Sequence, residues 1–288
     1  MKEKYKWYTV LILLSVLSFS ACNTENTPHK NDLIEKNLNG KVKSLREIHY
    51  DVEEKSDKIT KGETLGGYSN QYLLFNDDGN IRELNLYNSD GSLKNNNVIK
   101  YDDDGKEIEE NRYYPKVGLV NKFTTIYDDK GNTIEVNRYD LNGYLEIKTV
   151  NNFDDEGNKV ESNSFNSDGV LEKKEVSKYD DKGNEIELSS FYSDGSLDFR
   201  YTYKYDDIGN GIEFNSFTSD DILDITRTFT YDDKGNKIID TYTNMALGVE
   251  SIYTYSYEFD EHNNWVKRVN YTGEIPIIIV ERTIEYYQ

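Results

Sequence analysis

The chain has 288 residues, 34 Lys and Arg against 54 Asp and Glu, and a formal net charge of −20. That balance argues against a nucleic-acid partner, because phosphate binding relies on clustered Lys and Arg to release counterions. A single Cys rules out intramolecular disulfides and Cys-based metal sites, and 25 Tyr and 11 Phe beside three Pro and two Met describe a β-prone rather than a disordered chain.

In chain order, Lys2, Lys4 and Lys6 precede an apolar run over 10–17 (VLILLSVL), the layout of a secretory signal peptide and too short to span a bilayer. Directly after it, Phe19-Ser20-Ala21-Cys22 resembles the lipobox of bacterial lipoproteins, with Phe19 where an aliphatic residue is more usual. The resemblance implies cleavage of residues 1–21, lipidation of Cys22 and anchoring in a membrane. Asn23 rather than Asp after the cysteine implies sorting to the outer membrane. Acyl chains at roughly 0.8 kcal/mol per buried methylene would hold such an anchor firmly. Residues 22–40 are expected to be the lipidated cysteine and a flexible tether, since 23–32 carry no apolar side chain. The fold is expected over 41–288.

Residues 41–50 read as one extra strand. Then a repeat takes over: aromatic-Asp-Asp-x-Gly-Asn, or a close variant, begins at Phe75, Tyr101, Tyr127, Phe153, Tyr179, Tyr205 and Tyr231, each 26 residues after the last. Each unit holds two turn signals, such as Asp180–Gly183 and Tyr192–Gly195, with Asp or Ser early and Gly last. These are hairpin connections, so each unit supplies two strands. Side-chain alternation puts Leu188, Ser190, Phe199, Tyr201, Tyr203 and Phe214 on one face. Glu187, Ser189, Phe191, Asp198, Arg200 and Lys204 fall on the other. The expected fold is all-β: an elongated antiparallel β-meander or solenoid of 26-residue two-strand hairpin repeats, its sheet curled by twist, with residues 275–288 as a capping strand.

The motif Tyr-Asp-Asp-x-Gly-Asn-x-Ile-Glu followed by Ser-Asp-Gly-Ser-Leu resembles the YD or RHS-like and MORN-like repeats of bacterial surface proteins. The whole layout is similar to repeat lipoproteins of Bacteroidetes. The resemblance implies a shell, scaffold or binding surface rather than a defined chemistry.

Glu109, Glu135, Glu161, Glu187 and Glu213 recur at one position per unit, which suits a solvated strand face better than a unique carboxylate pair. His29, His49 and His262 lie in unrelated contexts, and no catalytic, cofactor or metal residue is assigned. The Asp-rich turns are expected to use Asp for turn capping, a calcium-dependent adhesin-like module being the alternative. Tyr87, Tyr113, Tyr139, Phe165, Phe191 and Phe217 form an aromatic ladder on the polar face, a candidate for binding protein or glycan. A membrane-spanning barrel is disfavoured by the charge on that face. The expectation is a non-enzymatic, lipid-anchored protein of the outer membrane that presents an extended β surface, or a scaffold without a specific ligand.

Overall fold

The computed structural model describes residues 31–55, 58–66 and 70–288. After a short helix α1 (Asp32–Glu35), nineteen strands follow: β1 (Val42–Lys55), β2 (Lys58–Thr64), β3 (Asn70–Phe75), β4 (Ile81–Tyr87), β5 (Leu93–Tyr101), β6 (Glu107–Tyr114), β7 (Gly118–Tyr127), β8 (Thr133–Tyr139), β9 (Leu145–Phe153), β10 (Lys159–Asn166), β11 (Leu171–Tyr179), β12 (Glu185–Tyr192), β13 (Leu197–Tyr205), β14 (Gly211–Phe217), β15 (Leu223–Tyr231), β16 (Lys237–Asn244), β17 (Val249–Phe259), β18 (Trp265–Thr272) and β19 (Ile275–Tyr286). The two-strand unit is as the turn spacing requires.

The sheet does not remain an open curl. β1 pairs antiparallel with β3 on one side and β19 on the other, so 18 strands form a closed barrel, and β2 extends the far end of β1 as a hairpin. The expected solenoid with a capping strand is corrected accordingly: β19 closes the ring through pairs from Val42↔Tyr286 to Tyr50↔Ile279. Closure satisfies both edges, which an open sheet must otherwise protect.

The expected tether also gives way earlier than residue 41. Residues 31–41 form a strap across one barrel end. Asn31 caps α1, the Leu33 N–H donates to the Gly79 carbonyl at 3.1 Å, and the Asp32 carboxylate accepts the Ile81 N–H at 2.5 Å. Further along, the Asn37 side chain donates to the Lys234 carbonyl at 3.1 Å, and Asn39 exchanges two hydrogen bonds with the Asn264 side chain. Leu33 and Leu38 are buried on Val42, Leu45, Leu73 and Phe75. Gly79 has φ +84°, and a Cβ there would lie 2.6 Å from the Asn31 side chain, so the strap's close approach requires glycine.

The strap reaches the turns before β4, β16 and β18, on both sides of β1, and only the concave side brings them together. The face bearing Leu73, Phe75, Leu188, Tyr203 and Phe214 is therefore the lumen, and the charged face points outward. Tyrosines of the repeat tie neighbouring strands at this end. The hydroxyls of Tyr101, Tyr127, Tyr179, Tyr205, Tyr231 and Tyr257 donate to the carbonyls of Ile81, Glu107, Lys159, Glu185, Gly211 and Lys237 at 2.6–2.9 Å. Each accepting residue opens the strand after an Asp turn; in most pairs, as between Lys204 and Tyr205, the register slips there by one. The hydroxyl fills an acceptor that the shifted ladder serves poorly.

Candidate functional site

The outer wall is a belt of ion pairs. Glu109 sits 2.6 Å from both Lys100 and Lys122, Glu135 lies 2.5 Å from Lys148, Glu187 2.7 Å from Lys178, Glu213 2.9 Å from Lys204, and Glu161 pairs with Lys174. The hydrogen bond from Lys100, with that from Lys122, brings Glu109 down to about 2. The recurring Glu is thus a solvated strand face, as its spacing suggests. Placed in hydrocarbon, Lys or Arg at mid-strand would cost about 2–4 kcal/mol each. This wall faces water.

The ladder residues Tyr87, Tyr113, Tyr139, Phe165, Phe191 and Phe217 all lie on the outer wall, on alternate strands from β4 to β14. Most stand opposite a basic residue of the preceding strand: Lys122↔Tyr139, Lys148↔Phe165, Lys174↔Phe191 and Arg200↔Phe217. The Arg200 guanidinium covers the Phe217 ring at 3.7 Å. Alternate strands are about 10 Å apart. The ladder's rings are therefore spaced by intervening side chains and pack on those rather than on one another.

The acidic turns hold their first Asp inward. One Asp128 oxygen accepts the N–H groups of Lys130 and Asn132 at 2.9 and 2.8 Å, and the other accepts from the Asn132 side chain at 2.9 Å. Asp180 and Asp206 repeat this arrangement. Their lone pairs serve the turn itself. Cys22 lies outside the described residues.

The lumen holds side chains that strand parity alone did not reveal. Bulges at strand ends turn an extra residue inward: Asp198, expected outside, accepts from inward Ser190 at 3.4 Å, and Glu107, Glu185 and Lys237 are half-buried on the inner wall. The inner wall is divided by charge. On β6 to β12, carboxylates prevail: Glu110 pairs with Arg112 at 2.9 Å, Glu146 with Arg138 at 3.0 Å and Glu175 with Lys173 at 2.9 Å, while Glu107 and Glu185 have no ion pair among the described residues. Burial, then the charges of Glu110 and Asp32, push Glu107 up to about 7.

Unfolded, Glu107 ionises near 4.5; folded, near 7. Below the first value both states are protonated and nothing is lost; as pH rises through the second, the folded state bears the full cost of the buried charge. Glu107→Gln is therefore expected to raise stability by about 1–2 kcal/mol at pH 8, after discounting for partial exposure, and to leave it unchanged at pH 4. Urea titrations at the two pH values check this.

On β15 to β19 and β1, cations prevail. Asp240, 1% exposed, takes the Arg227 guanidinium in a two-point bond, with Lys237 at 3.7 Å and the Tyr255 hydroxyl at 3.4 Å. Burial lowers Lys237 to about 8 although Asp240 supports its charge. Glu47 accepts from Arg282 at 2.8 Å; burial pushes this carboxyl up, and the charges of Arg282 and His49 override it, leaving it below the usual range. Arg282 lies 3.4 Å over Trp265, and Arg268 approaches the same indole at 5.2 Å and Tyr255 at 5.5 Å. This cluster has no counterpart in the motifs of the repeat; apart from Arg227 on β15 and Glu47 on β1 it lies after Tyr231, where the 26-residue interval ends.

Fold and walls together define a closed antiparallel barrel whose outer surface belongs in water. No family model and no curated relative matches the chain. Among solved structures, it is similar to a porin-like protein from Bacteroides uniformis at 13% identity and TM-score 0.43, covering 85% of this chain and 98% of that one. A porin-like protein from Bacteroides vulgatus gives 12% identity, TM-score 0.38 and the same coverage. The toxin complex TcdB2-TccC3 gives 11% and 0.31, this chain matching 16% of its length.

Proposed function

We propose that the chain is a non-enzymatic protein of the bacterial envelope, anchored in the outer membrane through lipid on Cys22, that acts by binding a ligand while its barrel stands in water. The observation that carries this reading is the mid-strand Glu–Lys belt. A closed barrel with that outer wall does not use its strands to enter a bilayer, so membrane attachment falls to Cys22, for which the sequence offers no other role. The strap begins at Asn31, beside the acidic turns, so the anchor tethers that end and leaves the opposite rim facing away. The opposite hairpin tips carry exposed apolar side chains, among them Val117, Tyr144, Ile222 and Leu247, at 62–75% exposure. The repeat's likeness to YD or RHS-like surface proteins fits the same reading.

The test is fractionation of cells bearing the wild type or Cys22→Ser. The wild type is expected in the membrane pellet and the variant in the soluble fraction; a variant that stays with the membrane removes the anchor from this reading. A ligand could also use the outer ladder, where Tyr113 is 36% exposed.

A further inference from the structure

Four cations, Arg227, Lys237, Arg268 and Arg282, line one side of the lumen on β15, β16, β18 and β19, and two carboxylates, Asp240 and Glu47, answer them. Asp240 is committed to Arg227 and Lys237, and Glu47 to Arg282. No carboxylate among the described residues lies within ion-pair distance of Arg268. Its Nε donates to the Asn270 side chain at 3.0 Å, and it also shares a hydrogen bond with the Tyr257 phenol. Glu47 feels the charge of Arg268 from beyond contact distance, so in a chain of net charge −20 this half-buried guanidinium has no carboxylate against it.

The surroundings of Arg268 restrain its plane without placing a carboxylate against it. Trp265 is approached by both Arg268 and Arg282, and Tyr255 lies on the neighbouring strand, paired with Asn270. Cation–π contact of this kind restrains a guanidinium while leaving an edge for a planar oxyanion. Toward the apolar rim the wall continues with Tyr242 and Tyr253, both half-exposed, whose rings and hydroxyls suit a polyhydroxylated ligand. We propose that this inner wall is a binding site for an acidic oligosaccharide, with Arg268, level with Tyr257, receiving a sugar carboxylate and Tyr253 and Tyr242, further along the wall toward the rim, contacting the following sugars. The site deepens the reading of the chain as a binding protein, and it does not depend on the anchor at Cys22.

The test is calorimetric titration of the purified full chain with trigalacturonate, maltotriose and inorganic sulfate. Trigalacturonate is expected to bind once per chain, Arg268→Gln to weaken it at least tenfold, and Arg200→Gln, on the outer wall, to change it less than twofold. Arg268→Lys keeps the charge without the planar fork and serves if the glutamine variant does not fold; it is expected to weaken binding several-fold. Equal binding of maltotriose shows that the carboxylate is not read, and sulfate binding as tightly as trigalacturonate shows that the saccharide is not. Either result, no binding of trigalacturonate, or binding indifferent to Arg268, overturns the proposal. Failure of Cys22→Ser to leave the membrane bears on the anchor alone.

Discussion

Asp240→Asn is expected to lower the unfolding free energy by about 3–5 kcal/mol, the range for removing one partner of a buried ion pair. The carboxylate is 1% exposed and takes Arg227, Lys237 and Tyr255 together. An amide offers one acceptor and no charge, so two cations would remain in the wall without compensation. The deficit should depend on pH. Lys237 titrates near 8 in the fold against 10.5 when exposed, so the fold bears the cost of its charge below 8 and sheds it as pH rises toward 10.5. Without Asp240 the lysine falls further, so the loss should be larger at pH 7 than at pH 9. Adding Lys237→Met is expected to recover part of it. Urea unfolding followed by tryptophan fluorescence measures all three, and a loss under about 1 kcal/mol, equal at both pH values, would mean that water already screens the cluster.

Phe75→Ala is expected to cost a similar amount, about 3–5 kcal/mol, as for other fully buried Phe truncations. Phe75 is 0% exposed, enclosed by Leu33, Leu38, Val42, Leu45 and Leu73, and its carbonyl accepts the Tyr287 hydroxyl at 2.7 Å. It therefore ties the strap, the first ring strand and the C-terminal segment. The variant should both melt earlier in calorimetry and expose residues 31–41 to protease. Phe153 occupies the same place in its own repeat but is only half-buried and has no strap over it. Phe153→Ala should cost about half as much or less; equal costs would show that the strap adds nothing.

That contrast marks where sequence reading stops. The 26-residue spacing, the Asp–Gly turns and the alternation of Leu188, Tyr201 and Phe214 against Glu187 and Arg200 are local, and local geometry carried them into the structure. The same alternation misplaced Asp198 and gave no hint that Glu107, Glu185 and Lys237 turn inward, because a bulge changes parity through the partner strand rather than through composition. The six ladder residues share a parity, yet what lies between them depends on pairing with residues 17 positions away, such as Lys148↔Phe165 and Arg200↔Phe217.

By itself the sequence determined the antiparallel meander, its two turns per unit and the polar outer face, since each follows from side-chain period and turn chemistry within about ten residues. Closure was decided only in three dimensions. Whether a curled meander stays open or meets itself depends on the accumulated twist of many strands and on one pairing between residues over 200 apart, β1 with β19. That pairing makes one face a lumen, brings Glu47 to Arg282, and, among the described residues of that wall, leaves Arg268 with no carboxylate in ion-pair contact.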